Sequence, residues 1–318
     1  MKKNFSFKNL LLIISVTILS IFLIITGYSI YLFSKINTIK LDRNSVVNLN
    51  TDTYNNEDFI NICIIGSDQY SESNYSADSI MILTIDKFNK KIKLTSLMRD
   101  MYVSNPDTND MFNLNEAILE GGHELLLKTI NTNFNLSIDK FIEANLNSFP
   151  KIVDTLDGIT IDIKNEEIDQ INKFISAIDE NNNTSTDPIK TSGPQLLNGT
   201  QTSAYCRLRS ESGRDDVRTQ RQRYVLSCIF DKIQNTSLLK YPSLANDLFP
   251  LIETNLKSSE IINIAFTILE QGINTIEETK FPLDNQYEML LTDGDKFHLS
   301  IDIENTAKEI NKYIYSLD

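Results

Sequence analysis

Seven of the eight arginines of this 318-residue chain occur in two places. Arg99 stands alone, and Arg207, Arg209, Arg214, Arg218, Arg221 and Arg223 fall within seventeen residues, while the lysines are scattered. The planar guanidinium fork matches phosphate or carboxylate better than a lysine point charge does. On a chain of formal net charge −13, such a cluster is a local positive basin and points to a phosphate-bearing ligand bound at one place. Two aspartates belong to the same pattern. The strand-like runs 79–85 and 91–97 flank a four-residue turn, which reads as a hairpin. If Asp86 faces Lys91, Asp78 faces Arg99 at the open end, and Gly66-Ser-Asp68 leaves the preceding strand toward the same end. Asp68 and Asp78 beside an anion site suit Mg²⁺ with a phosphate ligand. That pairing serves phosphoryl transfer, where metal and arginines offset growing negative charge. A surface ion pair between Asp78 and Arg99 and a turn role for Asp68 are the plainer alternatives.

Within the cluster, residues 203–208 read as a strand, which places Arg207 and Arg209 on one face. Residues 217–233 carry a helical apolar stripe with Asp215 or Asp216 at the N-cap. Arg218 and Gln222 share a face of that helix, with Arg221 nearby, and the helix dipole adds to anion binding at its start. Arg214 and Arg223 read as surface residues.

The elements that must hold these groups begin with an anchor. Lys2, Lys3 and Lys8 precede an uncharged run over 10–33, long enough to cross a bilayer and basic on its cytoplasmic side. The expected order is a cytoplasmic tail 1–9, a transmembrane helix 10–33, a polar extracellular stalk 34–58, and one folded domain 59–318. Strands are expected at 59–65, 79–85, 91–97 and 159–163. Helices are expected at 114–134, 139–155, 258–271 and 303–315, with a mobile polar loop over 179–188. The alternation indicates an α/β domain, sandwich-like, with a central mixed sheet flanked by helices. The acidic body argues against nucleic acid. Cys63, Cys206 and Cys228 read as buried thiols rather than a disulfide framework. Two distant histidines, His123 and His298, give little material for a zinc site or a histidine triad.

In chain order the motifs are Ile65-Gly-Ser-Asp68, Ala77-Asp-Ser-Ile-Met81, Ser96-Leu-Met-Arg-Asp100, Asn113-Leu-Asn-Glu-Ala117 with Gly121-Gly122, Tyr205-Cys-Arg-Leu-Arg209, and Asp215 to Arg223. This series resembles the LytR–CpsA–Psr family of cell-wall glycopolymer ligases. The resemblance implies a membrane-anchored phosphotransferase with its domain outside the cell membrane of a Gram-positive-type bacterium. Its implied action is Mg²⁺-assisted transfer of a teichoic acid or capsule polymer from an undecaprenyl-pyrophosphate carrier to peptidoglycan, with a possible pyrophosphatase side activity. It implies metal binding by Asp68 and Asp78, pyrophosphate binding by Arg99, Arg207, Arg209, Arg218 and Gln222, and catalytic roles for Asp78, Arg99 and Asp215. The chain departs from the family where an arginine usually precedes the Asp78 position (here Ser76-Ala77) and where lysine often replaces Asn113. Both departures remove positive charge and keep open a polyprenyl-phosphate-binding protein or envelope regulator with weak or no catalysis.

Overall fold

The computed structural model describes residues 7–47, 58–71, 74–209, 216–292 and 296–316. A first helix, α1 (Phe7–Phe33), leads within three residues into β1 (Asn37–Thr38) and the short α2 (Arg43–Val46). Next come β2 (Phe59–Ser71), β3 (Asn74–Asp86) and β4 (Lys91–Leu97), an antiparallel meander. A small hairpin follows, β5 (Tyr102–Ser104) with β6 (Met111–Asn113), then α3 (Ala117–Phe134), β7 (Phe141–Asn145) and α4 (Ser148–Thr155). A peripheral unit contains β8 (Ile159–Ile163), α5 (Ile168–Asn182), β9 (Gly193–Leu197) and α6 (Gly199–Cys206), with β8 and β9 paired to each other. The chain continues through α7 (Asp216–Gln234), α8 (Tyr241–Leu248), β10 (Glu253–Thr254), α9 (Ser258–Gln271) and β11 (Thr275–Phe281). It closes with the hairpin β12 (Tyr287–Thr292) and β13 (Lys296–Ile301), then α10 (Ile303–Tyr315).

Seven strands form one mixed sheet in the order β1-β10-β7-β2-β3-β4-β11. Alternation sends Cys63, Ile65, Ile80, Ile82 and Leu97 to one face, where they join buried side chains of α3 and α10. The opposite face presents Ile85, Ile92 and Leu94, packed with Leu226 and Phe230 of α7 and Ile264 and Ile268 of α9. Helices therefore cover a central mixed sheet on both sides, as expected.

Several local expectations change. Residues 203–208 are not a strand: Asn198 accepts from the Gln201 amide and Gln201 reaches back to the Asn198 N–H, a capping box that starts α6. Residues 139–155 are not one helix, because the central strand β7 precedes α4. Residues 179–182 close α5, and Asp179 accepts hydrogen bonds from Thr184 and Thr186, which fixes the start of the expected mobile loop. The expected stalk is docked as far as residue 47. β1 adds a strand beside β10, Val46 is buried in the main core, and Arg43 makes a two-pronged pair with Glu260. Residues 48–57 lie outside the described residues. At the expected span, α1 runs for 27 residues, about 40 Å at 1.5 Å per residue. Among the described residues no helix is long and apolar enough to cross a membrane, and the side chains of residues 10–16 are not among those described.

Candidate functional site

The β2–β3 ladder is interrupted where the chemistry was expected. Gly66 faces Ser79 and Ser67 faces Ala77, so Asp78 has no opposite residue. A bulge of this kind bends the strand and re-aims the extra side chain. Its effect on parity is visible in the core: Ala77 and Ile80, three residues apart, both join the same buried cluster. Gly66 suits the spot, since a Cβ there would lie 3.0 Å from the Ser79 Cβ.

Asp78 accepts a hydrogen bond from Arg99 Nη1, and the two form an ion pair. The regular β3–β4 ladder ends at Ile80 opposite Leu97, and the two side chains meet just beyond it. Arg99 Nε also lies 3.6 Å from the Asp100 carboxylate. The backbone on both sides of Arg99 is held: its carbonyl accepts from Asn115 N (3.0 Å), and the Asp100 carbonyl accepts from Leu299 N (2.8 Å). Asn115 Nδ2 donates to Ser76 Oγ (3.4 Å), joining the loop to the strand that carries Asp78.

From the helical layer, Arg218 of α7 brings Nη2 to 3.5 Å from the Asp78 carbonyl oxygen. Its side chain is buried, so two guanidinium groups converge on one bulge residue from different elements. Asp68 is half-buried and pairs with Ser76 in the ladder. Ser67 turns its hydroxyl to Glu143, so strand alternation directs Asp68 to the other face of the sheet, the one covered by α7. Gln222 is half-buried one turn beyond Arg218.

The other arginines divide. Arg207 is the half-buried C-cap of α6, and Arg209 is exposed two residues later. With 203–206 helical and Arg207 at the C-cap, their shared strand face does not exist. They stand on the segment that leads toward α7, while Arg214 and Asp215 lie outside the described residues. Arg221 turns to Glu167 and lies over the Tyr205 ring at 5.4 Å. Arg223, expected at the surface, is buried 3.8 Å from Glu278, and burial lowers its pKa against the pull of that carboxylate.

Asn113 is also buried, donating to the Phe297 carbonyl (3.0 Å) and accepting from His298 Nδ1 (2.7 Å). The residue that replaces the family's frequent lysine is thus built into the β12–β13 packing. Two cysteine thiols are unsuited to nucleophilic work: burial pushes Cys63 and Cys206 up to about 12. Sequence reasoning missed Asn115 and Ser76 as the residues that hold the site backbone. The signal was available for Asn115, which sits inside the quoted Asn113–Ala117 motif.

The LytR_cpsA_psr family model matches residues 25–309. The chain belongs to the LytR–CpsA–Psr family. It is similar to the regulatory protein MsrR of Staphylococcus aureus, 27% identical over 260 residues that cover 81% of this chain and 74% of MsrR. It is similar to the polyisoprenyl-teichoic acid–peptidoglycan teichoic acid transferase TagU of Bacillus subtilis, 26% identical over 260 residues, 79% of this chain and 78% of TagU. Its fold matches the crystal structure of B. subtilis TagT with a TM-score of 0.65 at 20% identity, over 87% of this chain and 98% of that one. A TagT structure with bound octaprenyl pyrophosphate lipid matches at a TM-score of 0.64, with the same identity and coverage.

Proposed function

We propose that this protein is a membrane-anchored phosphotransferase that moves a glycopolymer from a polyprenyl-pyrophosphate carrier to peptidoglycan. The observation that carries the reading is the convergence of Arg99 and Arg218 on the bulged Asp78. Two positive forks at a sheet end are suited to a dianionic group, and TagU is named for such a transfer. The uncharged run over 10–33, which α1 carries, serves as the anchor, with the domain outside the cell.

Arg99, Arg207, Arg209 and Arg218 hold the pyrophosphate oxygens, with Gln222 as a further hydrogen-bonding group. An acceptor hydroxyl attacks the phosphorus that carries the polymer. The new P–O bond makes the phosphodiester, the bridging P–O bond breaks, and polyprenyl phosphate leaves. Asp215 takes the hydroxyl proton. Asp68 and Asp78 fit Mg²⁺, because they are two half-buried carboxylates on neighbouring strands, one of them lifted out of its ladder. When bound there, Mg²⁺ supplies charge neutralisation for the phosphates. The pairing of Arg99 with Asp78 keeps the guanidinium oriented before substrate arrives.

The test is release of polyprenyl phosphate from a polyprenyl-pyrophosphate-linked saccharide by the full chain in detergent. Arg99→Ala is expected to lower kcat/KM by about 10²–10³-fold, and Asp78→Asn to remove the Mg²⁺ dependence. Absence of turnover by the unaltered chain overturns the reading. A binding-only protein is the second reading, favoured by Ser76-Ala77 in place of an arginine; tight substrate binding without release of product would select it.

A further inference from the structure

A second group of chemistry-bearing side chains lies at the sheet edge where the chain enters. Glu143 of β7 and Glu253 of β10 face each other directly in the antiparallel register. Like charges directly opposite in a ladder destabilise it, and this pair is not out in solvent: Glu143 is buried and Glu253 half-buried. Burial and the neighbouring Glu143 charge raise the Glu253 pKa. A cation between the two carboxylates would remove this conflict.

The third member is His123. The helix α3 is broken immediately before it, with Gly121 and Gly122 outside helical geometry. Gly122 has φ +66° and ψ −159°, a conformation open essentially to glycine alone. The break turns the imidazole to the sheet, where it stacks on Phe141 at 4.1 Å and its Nε2 meets Glu143. The Tyr75 hydroxyl reaches both Glu143 oxygens (2.8 and 2.7 Å), and the Ser67 hydroxyl donates to the same carboxylate. Hydrogen bonds of this kind orient a ligating carboxylate.

We propose that His123, Glu143 and Glu253 bind one first-row divalent cation of the zinc type, at a site separate from the Asp78–Arg99 pair. Their ligand atoms lie within 4.8 Å of one another. A tetrahedral zinc shell with bonds of about 2.0–2.2 Å sets its ligand atoms roughly 3.3–3.6 Å apart, so binding draws the three side chains inward. One imidazole with two carboxylates favours zinc or a near neighbour over Mg²⁺. A cavity of about 40 Å³ adjoins Glu143 and Glu253, lined also by Asn37, Asn145 and Ser148. It has room for the water that would complete the coordination. The ion ties α3, β7 and β10 together beside β1. The proposal is independent of the transferase reading, because the ligands are on other residues and the readout is metal binding.

The experiment uses the full chain in detergent, stripped with chelator and titrated with Zn²⁺ and, separately, Mg²⁺, by calorimetry and thermal unfolding. One equivalent of Zn²⁺ is expected to bind and raise Tm, with Mg²⁺ failing to compete. Tyr75→Phe is expected to weaken zinc about 10- to 100-fold. Glu253→Gln is expected to give a two-way signature: a higher Tm than the unaltered chain without metal, because the facing charges are gone, and loss of the zinc-dependent rise. Asp78→Asn should keep the equivalent. No zinc uptake by the unaltered chain overturns the proposal, as does equal zinc affinity in Glu253→Gln, or loss of the equivalent in Asp78→Asn.

Discussion

Lys93 carries its ammonium group into the interior, 1% exposed. It donates to the carbonyl oxygens of Tyr313 (2.7 Å) and Ile314 (2.8 Å) at the end of α10, and lies 3.3 Å from the Asp86 carboxylate. Burial lowers the Lys93 pKa against the pull of Asp86. For Asp86, burial alone would raise the pKa, yet hydrogen bonds from Asn89 and the Lys93 charge together lower it. Lys93→Met strands the Asp86 charge and the last carbonyls of α10, so the expected loss is about 3–5 kcal/mol by urea unfolding. Adding Asp86→Asn should recover part of it. At this scale the legible and illegible residues differ in a physical way. Asp78 and Arg99 could be matched because one turn fixes the register of a hairpin. Arg207 and Arg209 were misplaced because the alternation of small, apolar and charged residues near 203–208 outweighed the capping box at Asn198 and Gln201. His123 was passed over because its carboxylate partners lie 20 and 130 positions farther along the chain, where spacing carries no signal.

At the scale of elements, α2 is only four residues long and cannot be stable by itself. It is held by the Arg43–Glu260 fork to α9 (2.6 and 2.7 Å) and by the Asn255 carbonyl (2.9 Å). The hydrogen bonds from Arg43 hold Glu260 at about 2, below its ordinary 4.5. A carboxyl depressed in the folded state contributes fully above its unfolded pKa and loses that contribution as pH falls through the folded value. Glu260→Gln is therefore expected to cost roughly 1–3 kcal/mol at pH 7. The gap to the unaltered protein should narrow below pH 4.5 and close near pH 2, as followed by denaturant unfolding at several pH values. The docked segment was unreadable in sequence because its polar composition resembles a linker; what fixes it is a long-range ion pair and one buried valine. Within the sheet, β2, β3 and β4 and the covering helices were readable from periodicity. The two-residue β1 and β10 are too short to carry a period, and the edge strand β11 gave no clear run. The strand β7 was missed because its central Glu143 breaks the apolar run expected of an inner strand.

For the molecule as a whole, the docked residues 36–47 form part of the folded domain. A chain truncated to begin at residue 58 loses β1, uncovers the β10 edge, and removes Val46, which is 1% exposed. Burying one such side chain contributes about 1.5–3 kcal/mol, and an uncovered edge invites strand pairing between copies. Such a chain is expected to melt lower and to form larger species in size-exclusion chromatography than one beginning at residue 34. On the transferase reading proposed above, the same junction bears on where the protein can work. Phe33 stacks on Phe249 at 5.5 Å, and Lys35 reaches Asn246 at 2.6 Å, so α1 meets the domain through a short, fastened joint. With α1 as the anchor and the Asp78–Arg99 site as the active site, both as proposed above, that site travels with the bilayer at a nearly constant height. Lipid-linked donors then reach it by lateral diffusion in the same leaflet, a search in two dimensions. The acceptor must come within the body's own radius, so proximity to the membrane selects which wall strands receive polymer.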